Sequence, residues 1–171
     1  MMISREEPSK PRRLRIFFDT EFTGLREDAA LISIGCVDEE GGEFYAELSD
    51  TYNRDECSAF CRAEVLPHLE DGKCRRPQYE VREALFQWLA GRGAALLVCD
   101  SPRDFVQIRR LLASGLPPNL RCEVLGWWGN LQRRIFNRGR RLHRKLGLRV
   151  HHALDDARVN RLILGSRSSS R

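Results

Sequence analysis

Four carboxylates in this chain stand where a reaction could be run. Asp19 and Glu21 follow the β-prone run Leu14-Arg15-Ile16-Phe17-Phe18, within Asp19-Thr20-Glu21-Phe22-Thr23-Gly24. Residues i and i+2 of a strand point to one face, so the two acids can aim at a single point. Asp104 opens the segment after a second apolar run, and Asp156 lies near the start of the last helical stretch. If the four converge, each pair at ~4 Å repels by about 4 kcal/mol at an effective dielectric near 20. Several such pairs demand protonation or a cation. Hard oxygen donors suit Mg²⁺ or Mn²⁺, and two such ions ~3.5–4 Å apart can clamp a phosphodiester and activate water for in-line attack. His151 precedes Asp156 by five residues, and a neutral imidazole, with an ordinary pKa of ~6.5, could accept the proton of that water. Each residue alone has a plainer role: Asp19 a strand end, Asp104 a helix cap, Asp156 a first-turn acid, His151 a polar helix entry. The functional reading rests on their combination and order.

The elements that must position these groups can be read from hydrophobic period. Leu14–Phe18, Leu31–Val37 and Glu43–Leu48 read as strands, and the Asp38-Glu39-Glu40-Gly41-Gly42 connection makes the last two an antiparallel hairpin. Val81, Leu85, Trp88 and Leu89 fall at helical spacing, which predicts a helix over about 79–90, ended by Gly91 and Gly93. Ala94–Cys99 is continuously apolar, as in a strand covered on both faces. Phe105, Ile108, Leu111 and Leu112 mark a further helix, Arg121–Leu125 a last short strand, and Ala153–Leu164 a C-terminal helix. The order, three strands and then α-β-α-β-α, predicts an α/β fold whose mixed sheet carries packed helices. Strand ends and adjoining helix starts are where such sheets bind ligands, and all four acids lie there.

With 171 residues, 42% hydrophobic and 31% charged, the chain suits one domain with its own core and not wholesale disorder. Residues 1–12 read as a flexible arm and 166–171 as a disordered tail, leaving 13–165 as the domain. No apolar stretch reaches membrane-span length and the first residues lack a secretory h-region, so a cytoplasmic protein without membrane contact is expected. Lys and Arg number 29 against 24 acids, a net +5. No acid occurs between Val124 and Leu154, where Arg133, Arg134, Arg138, Arg140, Arg141, Arg144, Lys145 and Arg149 gather. Such a run is either a solvated face or a polyanion surface, with nucleic acid the first candidate. The six cysteines form no CxxC pair. Cys57, Cys61, His68 and Cys74 fit no standard zinc spacing, and reduced thiols are expected.

The set Phe18-Asp19-Thr20-Glu21-Phe22-Thr23-Gly24, Asp100-Ser101-Pro102-Arg103-Asp104-Phe105 and His151-His152-Ala153-Leu154-Asp155-Asp156-Ala157 resembles, in order, the three motifs of the DEDDh 3′–5′ exonucleases. These belong to the ribonuclease H-like superfamily, with the proofreading exonuclease subunit and ribonuclease T. The wording is most similar to the small stand-alone bacterial exoribonucleases of that group. The resemblance implies a ribonuclease H-like mixed five-stranded sheet with helices on both faces. It implies two Mg²⁺ or Mn²⁺ ions held by Asp19, Glu21, Asp104 and Asp156, His151 as general base, and release of nucleoside 5′-monophosphates from a 3′ end. Asp100 departs from the family's usual Asn. Asp155 lacks the spacing from His151 that Asp156 keeps. Substrate contacts are expected at Phe22, Thr23 and Gly24 beside the first motif, at Trp128 with its neighbour Trp127, and at Arg140 and Arg144 on the phosphate backbone. The expected partner is single-stranded RNA or a 3′ overhang, with DNA open. Relatives commonly dimerise, which admits a homodimer. A non-catalytic nucleic-acid binder on the same fold, and a hydrolase of small phosphodiesters, remain the competing readings.

Overall fold

A computed structural model describes residues 13–113, 115–125 and 129–165, with the side chains of the final stretch described from Ile135 onward. The readings for the 1–12 arm, the 166–171 tail and Trp127 and Trp128 lie outside these residues. The chain runs β1 (Leu14–Phe22), β2 (Leu31–Asp38) and β3 (Glu43–Leu48). Short helical turns then occupy Arg54 to Cys74. β4 (Arg75–Arg76), α1 (Gln78–Ala90), β5 (Ala95–Cys99), α2 (Pro102–Leu111), β6 (Leu120–Val124), α3 (Gly129–Leu146) and α4 (Ala153–Leu164) complete it.

The sheet is mixed, in the order β4-β3-β2-β1-β5-β6. β1 pairs antiparallel with β2 and parallel with β5, and β5 pairs parallel with β6. This is the ribonuclease H-like kind of α/β arrangement, with one difference from expectation. A sixth strand, β4, lies parallel to β3 through Glu47↔Arg75 and Leu48↔Arg76. Two residues carry no readable period, so the pattern could not reveal it. The basic run, to which the sequence pattern assigned no element, is largely a helix, α3, of 18 residues.

β1 is the centre of the molecule. Ile16 and Phe18 pack with Val81, Leu85 and Leu89 of α1 and Ile108 and Leu111 of α2. Phe17, on the other face, packs with Val98, with Ile135 of α3 and with Val159, Ile163 and Leu164 of α4. Each fully buried Phe contributes roughly 1.5–3 kcal/mol, so β1 is anchored on both faces just before Asp19. Gly35 of β2 pairs with Asp19. A Cβ at Gly35 would lie 2.3 Å from the Leu154 nitrogen and 2.4 Å from the Ala153 carbonyl carbon. Only a glycine lets the first turn of α4 rest directly on β2. Among the described residues no helix is long and apolar enough to cross a membrane.

Candidate active site

Local rules place each acid. Asp19 and Glu21 lie at the C-terminal end of β1, on alternate positions of one strand. Ser101 caps α2, its hydroxyl accepting the Arg103 N–H at 3.2 Å, and Pro102 occupies the first turn. Ser-Pro therefore starts the helix directly after β5 and sets Asp104 in its first turn. His152 caps α4: its Nδ1 accepts the Asp155 N–H at 3.3 Å. The Asp156 carboxylate accepts the His152 N–H in return, at 3.1 Å.

The four acids converge, and a fifth joins them. Ligand atoms of Asp19, Asp100 and Asp104 lie within 4.8 Å of one another, as do those of Glu21, His151 and Asp156. All six residues line one cavity of about 680 Å³. Thr20 holds Asp104 by two bonds to the same carboxylate oxygen, from its N–H at 3.2 Å and its hydroxyl at 2.6 Å. Asp156 is gripped at both oxygens, by the His152 N–H and by Nε2 of His143 at 2.8 Å. Among the described residues, no Lys or Arg forms an ion pair with any of the five acids.

The electrostatic consequence is large. Burial pushes the Asp19 carboxyl well above its usual range, and the charges of Asp104, Asp156, Glu21 and Asp100 push it further. Glu21 is raised by burial and then by Asp156 and Asp104. Asp104 rises to about 8, through burial and Asp100, against the opposing pull of the Thr20 bonds. Asp100 is raised by burial and Asp156, while a hydrogen bond from the Asn160 side chain resists the shift. Burial lowers His143, but the Asp156 carboxylate, with Asp155 and the Leu148 backbone, outweighs it, and the imidazole ends above its ordinary value. Five acids crowded together, with no Lys or Arg paired to them among the described residues and one histidine bonded to Asp156, fit hard divalent cations.

His151 sits at the mouth with φ +60°, a left-handed conformation that non-glycine residues seldom adopt. Such conformations persist where surrounding structure enforces them, and they cluster at functional sites. Its ring meets Phe60 edge-on, centroids 4.9 Å apart. Phe60, Leu25 and Phe136 line the cavity and are largely exposed, so its floor is acidic and its rim apolar.

The expected substrate contacts divide. Phe22, Gly24 and Arg140 line the cavity. Thr23 does not: it is fully buried, and its hydroxyl accepts the Ala30 N–H at 3.0 Å, which ties down the loop after β1. Arg144 also lies off the cavity wall, one helical turn beyond Arg140 on the exposed side of α3. Asp155 faces away into an ion-pair hub, 2.7 Å from both Arg149 and Arg158. Cys61 lines the cavity beside Glu21. Among the described residues, Cys57, Cys61, His68 and Cys74 form no metal-holding group.

Several contributors escaped sequence reasoning, Thr20, Leu25 and Phe136 among them. Asn160 lies one turn after Asp156 on the same face of α4, and that i+4 spacing was a usable signal. His143 could be found only by recognising α3. Phe60 comes from an irregular turn with no period.

No family model matches this chain. Two curated Mycobacterium tuberculosis proteins do, one from strain CDC 1551 / Oshkosh and one from strain H37Rv, each named a 3′-5′ exoribonuclease. Identity to each is 41% over 56 residues, and the match spans 33% of this chain and 33% of each relative.

Proposed function

We propose that this chain is a divalent-metal-dependent 3′–5′ exonuclease, acting on single-stranded RNA and releasing nucleoside 5′-monophosphates. The observation that carries this reading is the convergence of Asp19, Glu21, Asp100, Asp104 and Asp156 in one cavity, with no Lys or Arg paired to any of them among the described residues. The choice of RNA rests on the names of the partial relatives.

Asp19, Glu21, Asp104 and Asp156 would hold two Mg²⁺ or Mn²⁺ ions, with Asp100 adding charge beside Asp104. Bound there, such ions would supply positive charge to the scissile phosphate and lower the pKa of a bound water. The chain's own groups do the rest. Thr20 and His143 orient Asp104 and Asp156 through the bonds already described. His151, grouped with Glu21 and Asp156 and set edge-on to Phe60, takes the proton of the attacking water. Phe22, Leu25, Phe60 and Phe136 offer apolar surface to the terminal base, where stacking is worth about 1–3 kcal/mol and tolerates any sequence. Arg140, on the same wall, faces the phosphate backbone.

The test is digestion of matched single-stranded RNA and DNA, labelled at the 5′ end, with Mg²⁺, Mn²⁺ or EDTA. Stepwise shortening of RNA that needs metal, and is absent in Asp19→Ala and Asp156→Ala, is expected. A bound but intact oligonucleotide under all conditions would replace the enzyme with a non-catalytic binder.

A further inference from the structure

A second concavity adjoins the acid-lined one. Its volume is about 480 Å³, and it shares Phe22 and Leu25 with the first, so these two side chains form a ridge between the cavities. Leu25 is 75% exposed on that ridge. The far wall is α2. Arg103, Val106, Gln107 and Arg110 fall at i, i+3, i+4 and i+7, one stripe of the helix, and all four line the second cavity. Asp104, Ile108 and Leu111 occupy a different face of the same helix and are buried. One helix thus turns an acid to the first cavity and two arginines to the second.

The second cavity carries the opposite charge. Arg26, Arg103 and Arg110 line it against a single acid, Glu27. Two of the arginines are held in place. Arg110 donates to the Glu27 carbonyl at 2.8 Å. Arg26 donates to the Glu56 carbonyl at 3.2 Å and pairs with Asp28 at 2.8 Å. A guanidinium has five N–H donors, so each keeps donors for a ligand. Arg103 forms no ion pair among the described residues. Buried Gln107 donates to the Ala29 carbonyl at 3.0 Å and fastens the 22–29 loop to α2, which holds the concavity open.

Building on the exonuclease reading, we propose that this second cavity is an upstream subsite. It grips the phosphates of the strand 5′ to the residues in the acid-lined cavity, through Arg103 and Arg110 with Arg26 beside them. The contacts are to backbone anions, so the subsite gives chain-length preference without sequence preference. It lies on α2, across the Phe22–Leu25 ridge, and is separate from the arginines of α3.

The test compares wild type with an Arg103→Gln/Arg110→Gln variant on 5′-labelled oligoribonucleotides from two residues upward, in Mn²⁺. For wild type, kcat/KM climbs with length and then levels. The variant keeps the dinucleotide rate within about twofold but loses about tenfold on longer chains, carried by KM, as expected for charge-assisted phosphate contacts. Its plot of log Kd against log salt for a labelled hexaribonucleotide, read by anisotropy without metal, is shallower by about 1.4, since each phosphate contact on a single strand adds about 0.7. Identical length profiles and salt slopes for the two proteins would overturn the subsite, as would equal losses on dinucleotide and hexamer. If neither protein cleaves anything, the exonuclease reading fails, and the anisotropy slopes still decide the subsite.

Discussion

Asp104→Asn separates electrostatic crowding from ordinary packing. The asparagine is isosteric, and its Oδ1 can still accept both bonds from Thr20. What it removes is an ionisable group whose carboxyl, ordinarily at 3.8, stands near 8 in the metal-free fold. The folded chain therefore binds this proton more tightly than the unfolded chain does. The carboxylic acid stabilises the fold relative to its anion, and that advantage drains away as pH rises from ~4 to ~8. At 1.36 kcal/mol per pK unit, full ionisation of Asp104 without metal costs on the order of 5 kcal/mol. Even half of that shifts Tm by roughly 5–10 °C in a chain of this size.

The assay is thermal unfolding of wild type and Asp104→Asn across the pH range, in EDTA. Near pH 3.5, below the ordinary carboxyl value of 3.8, Asp104 is protonated in the folded and the unfolded chain alike, and the two should melt within about 2 °C. Near pH 8 the variant should melt several degrees higher. Millimolar Mg²⁺ or Mn²⁺ should close that gap by raising wild type, and raise the variant less, because a ligand stabilises only the state that binds it. Melting curves that stay parallel from acid to alkaline pH would refute the reasoning: Asp104 would then carry no penalty for its charge, and the cluster would have no electrostatic need for a cation.

Four further expectations follow from particular contacts. Asp19→Asn and Asp156→Asn should abolish hydrolysis while circular dichroism stays that of wild type; turnover at the wild-type rate in either would remove that residue from the site. Gly35→Ala forces a methyl into the backbone of Ala153 and Leu154, so it should cost about 1–3 kcal/mol in urea unfolding and lower kcat by moving Asp156 away from Asp19. His143→Ala frees one oxygen of Asp156 and should lower activity or apparent metal affinity by about 10–100-fold with an unchanged fold. Asp155→Asn opens the hub with Arg149 and Arg158; because those arginines keep Glu70 and Glu43, the loss should fall at the low end of about 3–5 kcal/mol, and hydrolysis by the folded fraction should persist.

The legible part of this molecule is the part whose local rules agree with its tertiary structure. Asp19 and Glu21 could be placed because a strand's period of two survives any packing, and Asp104 because Ser101-Pro102 starts a helix wherever it follows a strand. The same holds for β2, β3 and β5, whose apolar runs are buried almost throughout. α3 was hidden because arginines fill its outward positions, leaving Ile135 and Leu142 as thin signs of an inner face. With α3 went His143, and with it the second grip on Asp156. Thr23 was misplaced for a different reason: its neighbour Glu21 faces the cavity, but the register shift between Glu21 and Phe22 breaks the alternation. Thr23 turns inward to the Ala30 N–H instead. Gly35 shows the limit most sharply. Nothing around it in Leu31–Asp38 separates a glycine that bends a strand from one that admits a helix. Yet the absence of its Cβ is what lets α4 carry Asp156 to Asp19. The acids of the cavity are written locally; the spacing that brings them together depends on a glycine and a histidine whose roles exist only once the chain has folded.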